Sequence, residues 1–274
     1  MTNLTFAISM TVCVFLVPLW IKFGKKIGII DIPNGRKIHT KPIPATGGVA
    51  LLLGFIAGLA VDVSVFEDLL PLLISGGLIV FVGLLDARGL VHPQVKLLVT
   101  MPFISAVLIL FDFGLKMFSY DLLNHFFTIF WVMGIAAAFN LIDGMDGLCS
   151  GISFIASVFF AVWGFETGDS VTIICAISLA GSAAGFLFYN FHPAKIFLGD
   201  GGAMFSGLIL SFLGLRIANS EDLNVLTRWM IPIFILLLPI FDTTLVTFFR
   251  LRRRLIPFMN PGKDHIHHRL FAKL

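Results

Sequence analysis

The stretch AFNLIDGMDGL, residues 138–148, sets an amide, two carboxylates and two glycines between long apolar runs. Asn140, Asp143 and Asp146 recur every third residue, a spacing that keeps them on one face of even a loosely continued helix. Gly144 and Gly147 permit positive φ or a close backbone approach. The flanking runs, 125–141 and 149–165, approach the roughly 20 mostly apolar residues that cross a ~30 Å hydrocarbon layer. The polar island therefore reads as the place where one membrane span ends and the next begins.

The rest of the chain has the same character. Of its 274 residues 58% are hydrophobic and 13% charged, with 30 Phe, whereas a soluble domain carries about 25% charged residues. This predicts an all-α fold, a polytopic membrane helix bundle forming one integral membrane domain over residues 1–274. Nine spans are expected, near 3–22, 47–64, 69–85, 94–111, 125–141, 149–165, 170–189, 201–218 and 229–249. No Lys or Arg precedes the first of them and no small-residue cleavage site follows it, so it reads as a retained anchor. Cys13, Cys149 and Cys175 stand apart in apolar context and read as small buried hydrophobes, not as a disulfide or zinc set.

Basic residues orient the bundle. With the N-terminus outside and the C-terminus in the cytoplasm, only Lys116, Arg216 and Arg228 fall outside, so 16 of the 19 basic residues collect on the inner side. That orientation sends Asp86, Asn140, Asp143, Asp146 and Asp200, from three separate loops, to the cytoplasmic face. Arg36, His39, Lys96, His192, Lys195, His265, His267 and His268 join them there.

Carboxylates converging at a membrane surface repel one another unless a cation joins them, and hard oxygen donors select Mg²⁺ or Mn²⁺ over zinc. The alternative for NLIDGMDGL is an ordinary pair of Asp-Gly turns. In KIFLGDGGAMFSG, residues 195–207, Asp200 precedes a re-entering helix whose N-terminus favours phosphate; Asp200 is either a metal ligand or a helix cap. In GLLDARGLVHPQVK, residues 83–96, Asp86 closes one span and Lys96 begins the next, either to meet an anion or to snorkel. Arg250, Arg252, Arg253 and Arg254 read as a positive-inside anchor. The following His265, His267 and His268 read as donors to phosphate oxygens. Asp242 lies inside the last span, where a carboxylate is a functional candidate.

Taken in order, DIPNGRKIHTKPIPATGG, GLLDARG, NLIDGMDGL, AKIFLGDGG, PIFDTT and DHIHHRL resemble the polyprenyl-phosphate N-acetylhexosamine-1-phosphate transferases, in particular the undecaprenyl-phosphate N-acetylglucosamine-1-phosphate transferase branch. The resemblance implies transfer of a sugar-1-phosphate from a UDP-sugar to a polyprenyl phosphate, with release of UMP, as the first membrane step of cell-surface polysaccharide synthesis. It implies Mg²⁺, with Mn²⁺ as substitute, held by Asn140 and Asp200. Asp86, Asp143 and Asp146 become the candidate catalytic residues. Lys96, His265, His267, His268, Lys195, Arg36 and His39 become the candidate substrate-binding set. The expected location is the bacterial inner membrane, multi-pass, with a cytoplasmic-facing site, a homodimeric assembly and no nucleic-acid partner.

Three departures accompany the resemblance. Ala87 stands where the family carries a second Asp, which predicts impaired catalysis with retained substrate binding. Leu245 follows Asp242-Thr243-Thr244 where an Arg is usual, and two further spans common in this branch do not follow HIHHRL. Rival readings are the phospho-N-acetylmuramoyl-pentapeptide transferase and a non-catalytic transporter or scaffold.

Overall fold

A computed structural model describes residues 1–33, 41–92 and 95–254. Apart from a two-stranded antiparallel ribbon, β1 (Ile30–Asp31) with β2 (Ile43–Pro44), its regular structure is helical. The helices are α1 (Thr2–Ile27), α2 (Gly47–Leu59), α3 (Val63–Asp68), α4 (Leu70–Ala87), α5 (Met101–Leu110), α6 (Asp121–Ile142), α7 (Leu148–Thr167), α8 (Ser170–Asn190), α9 (Gly199–Ala218), α10 (Val225–Ile235) and α11 (Leu237–Arg252). A π-helical turn, Lys96–Thr100, leads into α5.

Local chemistry sets several of these bounds. Gly28 takes φ 75° and its N–H closes α1 on the Gly24 carbonyl, just after Lys25 and Lys26. Gly168, at φ 69°, ends α7 in the same way, and the Asp169 side chain then caps α8 at Thr172.

Among the described residues six helices, α1, α4, α6, α7, α8 and α9, are long and apolar enough to cross a membrane; α10 with α11 would make a seventh were it one span. The sequence expects a continuous span at 229–249, but α10 and α11 meet at 84°. Pro239 stands in the first turn of α11, where it has no N–H to return to the carbonyl four residues back, so an uninterrupted helix through Leu236 is disfavoured. The expected segments 47–64 and 94–111 are short apolar helices instead. The 13 residues of α2 rise only ~20 Å.

The core centres on α9. Seventeen of its residues are buried, and α2, α4, α6, α7, α8 and α10 all pack on it. A helix apolar on every side belongs in such a position. Glycine lets its neighbours approach closely. A Cβ on Gly83 of α4 would stand 2.3 Å from the Cα of Gly201, and one on Gly48 of α2 would stand 2.6 Å from the Cα of Gly202. Seams between small residues are how apolar helices gain contact where no water remains to be expelled. Serines bind a second seam: Ser9 of α1 donates to the Ser178 carbonyl and Ser182 of α8 to the Leu51 carbonyl, each at 2.6 Å.

The two ends of the bundle differ. At one, the Arg216 guanidinium forks onto Asp169 at 2.8 and 2.9 Å. Burial raises the Asp169 carboxyl, but the Arg216 and Thr172 hydrogen bonds outweigh it and hold the group below the usual carboxylate range. At the other end lie the motif residues. Replacing Gly83 with Val should force α4 away from α9 and cost roughly 2–3 kcal/mol. A fall of about 5–10 °C in the detergent melting midpoint is expected, and an unchanged midpoint would refute the seam.

Candidate active site

The site is assembled from the ends of four long helices and two loops. Asp86 occupies the last turn of α4, Asn140 the last turn of α6, and Asp143 the position just beyond it. Asp200 sits in the first turn of α9. The backbone brings these ends together. The Phe197 N–H donates to the Pro44 carbonyl at 2.8 Å, and the Gly47 and Gly48 N–H groups donate to the carbonyls of Phe197 and Leu198 at 3.0 and 2.8 Å. The motifs around ATGG and FLGDGG are thus stitched edge to edge, with the Gly83–Gly201 seam alongside.

Lys96 lies at the focus. Its side chain is 6% exposed, and its ammonium binds Asp86 Oδ2 at 2.6 Å and also Asp200 Oδ2. It therefore does not snorkel; it joins two carboxylates from separate helices. Asp200 does not cap α9, which has no side-chain cap, and its half-exposed carboxylate is committed to Lys96 instead. Burial, and then the nearby Asp200 carboxylate, push Asp143 up to about 8.

Two residues brace the loops: Asn190, which the sequence did not mark, and Asp146, which it marked as a catalytic candidate. Asn190, the buried last residue of α8, accepts from the Gly147 N–H at 3.1 Å and the Ser150 hydroxyl at 2.7 Å, and donates to the Ile196 carbonyl at 2.9 Å. Asp146 Oδ2 accepts from the Ala194 N–H at 3.0 Å and pairs with His192 Nδ1 at 2.9 Å. Asn190 and Asp146 together tie the 143–147 loop to the 191–198 loop, fixing Asp143 relative to Asp200. The only sequence signal for this was a polar residue ending an apolar helix.

Of the other sequence candidates, Lys195 is exposed on the 191–198 loop. Arg36, His39, His265, His267 and His268 lie outside the described residues. Asp242 is buried in α11, on the side of the bundle that packs against α6. Arg250 is buried as well, which separates it from the exposed Arg252, Arg253 and Arg254 of the expected anchor. Ala87 is exposed beside the inward-turned Asp86.

The donor set suits a hard cation. Asn140 Oδ1 is buried without a hydrogen-bond partner, and such an acceptor is costly unless something positive meets it. Among the described residues no trio of His, Cys, Asp and Glu gathers into a self-sufficient metal site. Mg²⁺ does not require one, since it takes one or two carboxylates and completes its shell with water and phosphate oxygens. Asn140 and Asp200 fit that pattern.

A sequence model described as "Glycosyl transferase family 4" matches residues 69–218. A Bacillus subtilis protein named "Probable undecaprenyl-phosphate N-acetylglucosaminyl 1-phosphate transferase" is 37% identical over 97% of this chain and 76% of its own length. The "Decaprenyl-phosphate N-acetylglucosaminephosphotransferase" of Mycolicibacterium smegmatis is 28% identical over 92% of this chain and 71% of its own. The Escherichia coli "Undecaprenyl-phosphate alpha-N-acetylglucosaminyl 1-phosphate transferase" is 28% identical over 90% and 70%.

Replacing Asn190 with Ala would strand the Gly147 N–H and the Ile196 carbonyl, each at about 1–3 kcal/mol. Amide hydrogen exchange through 143–150 and 194–198 should accelerate at least about tenfold, and unchanged exchange would deny Asn190 its bracing role.

Proposed function

Because the chain belongs to glycosyl transferase family 4, we propose that it moves N-acetylglucosamine-1-phosphate from a UDP-sugar onto undecaprenyl phosphate and releases UMP. In this reading an oxygen of the acceptor phosphate bonds to the phosphorus that carries the sugar. The bond from that phosphorus to the bridging oxygen breaks, and UMP departs with the electron pair. The bundle sits in the bacterial inner membrane, as a homodimer, with the site facing the cytoplasm, where the nucleotide sugar is found and where the basic residues collect. The names of the relatives and the six motifs in order support the substrates.

The observation that carries the reading is the meeting of Asp86, Lys96 and Asp200 at the end of the bundle where Asn140, in the last turn of α6, keeps a buried oxygen unpartnered. Two anionic reactants must be brought into line, so positioning and charge neutralisation are what this chemistry demands of a protein. Asn140 and Asp200 would hold Mg²⁺, or Mn²⁺ in its place, and the bound ion supplies positive charge to the pyrophosphate oxygens of the donor. Lys96 meets the acceptor phosphate, with Asp86 aiming its ammonium. Asp143 lines the same site next to Asp200, while Asp146 holds the loop that presents it. Arg36, His39, Lys195, His265, His267 and His268 contribute cationic and hydrogen-bond donors to the nucleotide and sugar.

Replacing Asp200 with Asn should lower cation-dependent UMP release by at least about 100-fold; unaltered turnover would remove the metal assignment. Ala87 bears on rate. Its exposed position leaves the Lys96 bridge intact, in keeping with retained binding and impaired turnover. Replacing Ala87 with Asp should raise kcat with little change in KM for the UDP-sugar, and equal kcat values would reject the impairment.

A further inference from the structure

Lys96 raises a problem of occupancy. Its ammonium is bound to Asp200, the carboxylate that the proposed function assigns to the metal. A divalent ion and an ammonium cannot both sit against that carboxylate without strong repulsion. Asp86, by contrast, holds Lys96 from the α4 side at 2.6 Å, and no metal role competes for it. Asn140 Oδ1 waits without a partner. The free protein therefore leaves one of the two proposed metal ligands unpartnered and occupies the other with its own lysine.

We propose that Lys96 and the metal exchange places on Asp200. In the substrate-free protein Lys96 occupies Asp200. When the metal binds Asn140 and Asp200 it displaces the ammonium, which stays tethered to Asp86 and turns to the acceptor phosphate. The lysine is thus a competitor of the metal for Asp200 as well as a phosphate ligand, and the metal and the acceptor lipid bind with positive coupling. Binding linkage makes that coupling reciprocal: whatever factor the metal adds to lipid affinity, the lipid adds to metal affinity. The inference rests on the metal assignment given above.

The chemistry of the amine tests it in the unaltered chain. An ammonium at 6% exposure between two carboxylates resists acylation. With the purified protein in detergent at fixed pH, Lys96 acetylation by acetic anhydride is followed by mass spectrometry with and without MgCl₂. Metal should raise the Lys96 rate about tenfold, the change expected if the lysine holds Asp200 about nine-tenths of the time. Farnesyl phosphate added with the metal should then suppress labelling. As a second measurement, the Mn²⁺ affinity of K96M read by electron paramagnetic resonance should be tighter than that of the native chain. Metal that binds, and is lost in D200N, while leaving Lys96 labelling unchanged overturns the exchange alone. Mn²⁺ binding that survives in D200N overturns the metal assignment and the exchange with it.

Discussion

Asp86, Asp143 and Asp200 are three carboxyl groups drawn from three helix ends to one end of the bundle, Asp86 largely shielded from water and Asp200 half-exposed. Charges at such separations in a poorly polarisable setting interact by several kcal/mol, so the arrangement holds only because each charge is answered. Lys96 answers two of them, and burial beside Asp200 raises the third, Asp143, to about 8. The bundle around them is built to keep these helix ends in place. The buried α9 carries Asp200, and the glycine seams press α4 and α2 against it. The Asn190 and Asp146 braces fix the loop with Asp143. Electrostatics explains why the site needs such a frame, and small residues explain how an apolar chain provides it.

Much of this was legible beforehand. Apolar runs located the helices, and motif polarity located the end of the bundle at which the site forms. Runs of similar hydropathy do not reveal whether a helix continues, however. Pro239 was visible as a letter, but a proline can open a helix as readily as break one, and the 84° bend appears only in three dimensions. The short α2 escaped for a related reason: residues 60–64 are apolar enough to extend it in sequence, yet the chain turns there and Asp62 caps α3.

Within the site, residue type gave candidates and not assignments. Lys96 had two readings, snorkelling or anion binding, and neither anticipated a salt bridge to two carboxylates, one of them 104 residues away in the chain. Asp200 was a cap or a ligand, and its commitment to Lys96 settles against the cap. Asp146 shares the spacing of Asn140 and Asp143 yet faces His192 and the Ala194 amide. The helix stops at Ile142, so a periodicity of three has no helix beyond it to act on. Asn190 offered no motif at all, because a residue that organises backbone groups is recognised only through those groups.

The seams between α9 and its neighbours have one more consequence. Main chain resting on main chain has no rotamers to reshuffle. Bacterial envelopes change in fluidity and lateral pressure with growth temperature, and bulky interlocked side chains would yield to such changes first. Where Gly83 lies on Gly201 and Gly48 on Gly202, the spacing is set by atoms with no freedom to adjust. The distance across the site is therefore insulated from the state of the surrounding lipid, so one geometry serves in a stiff membrane and in a fluid one.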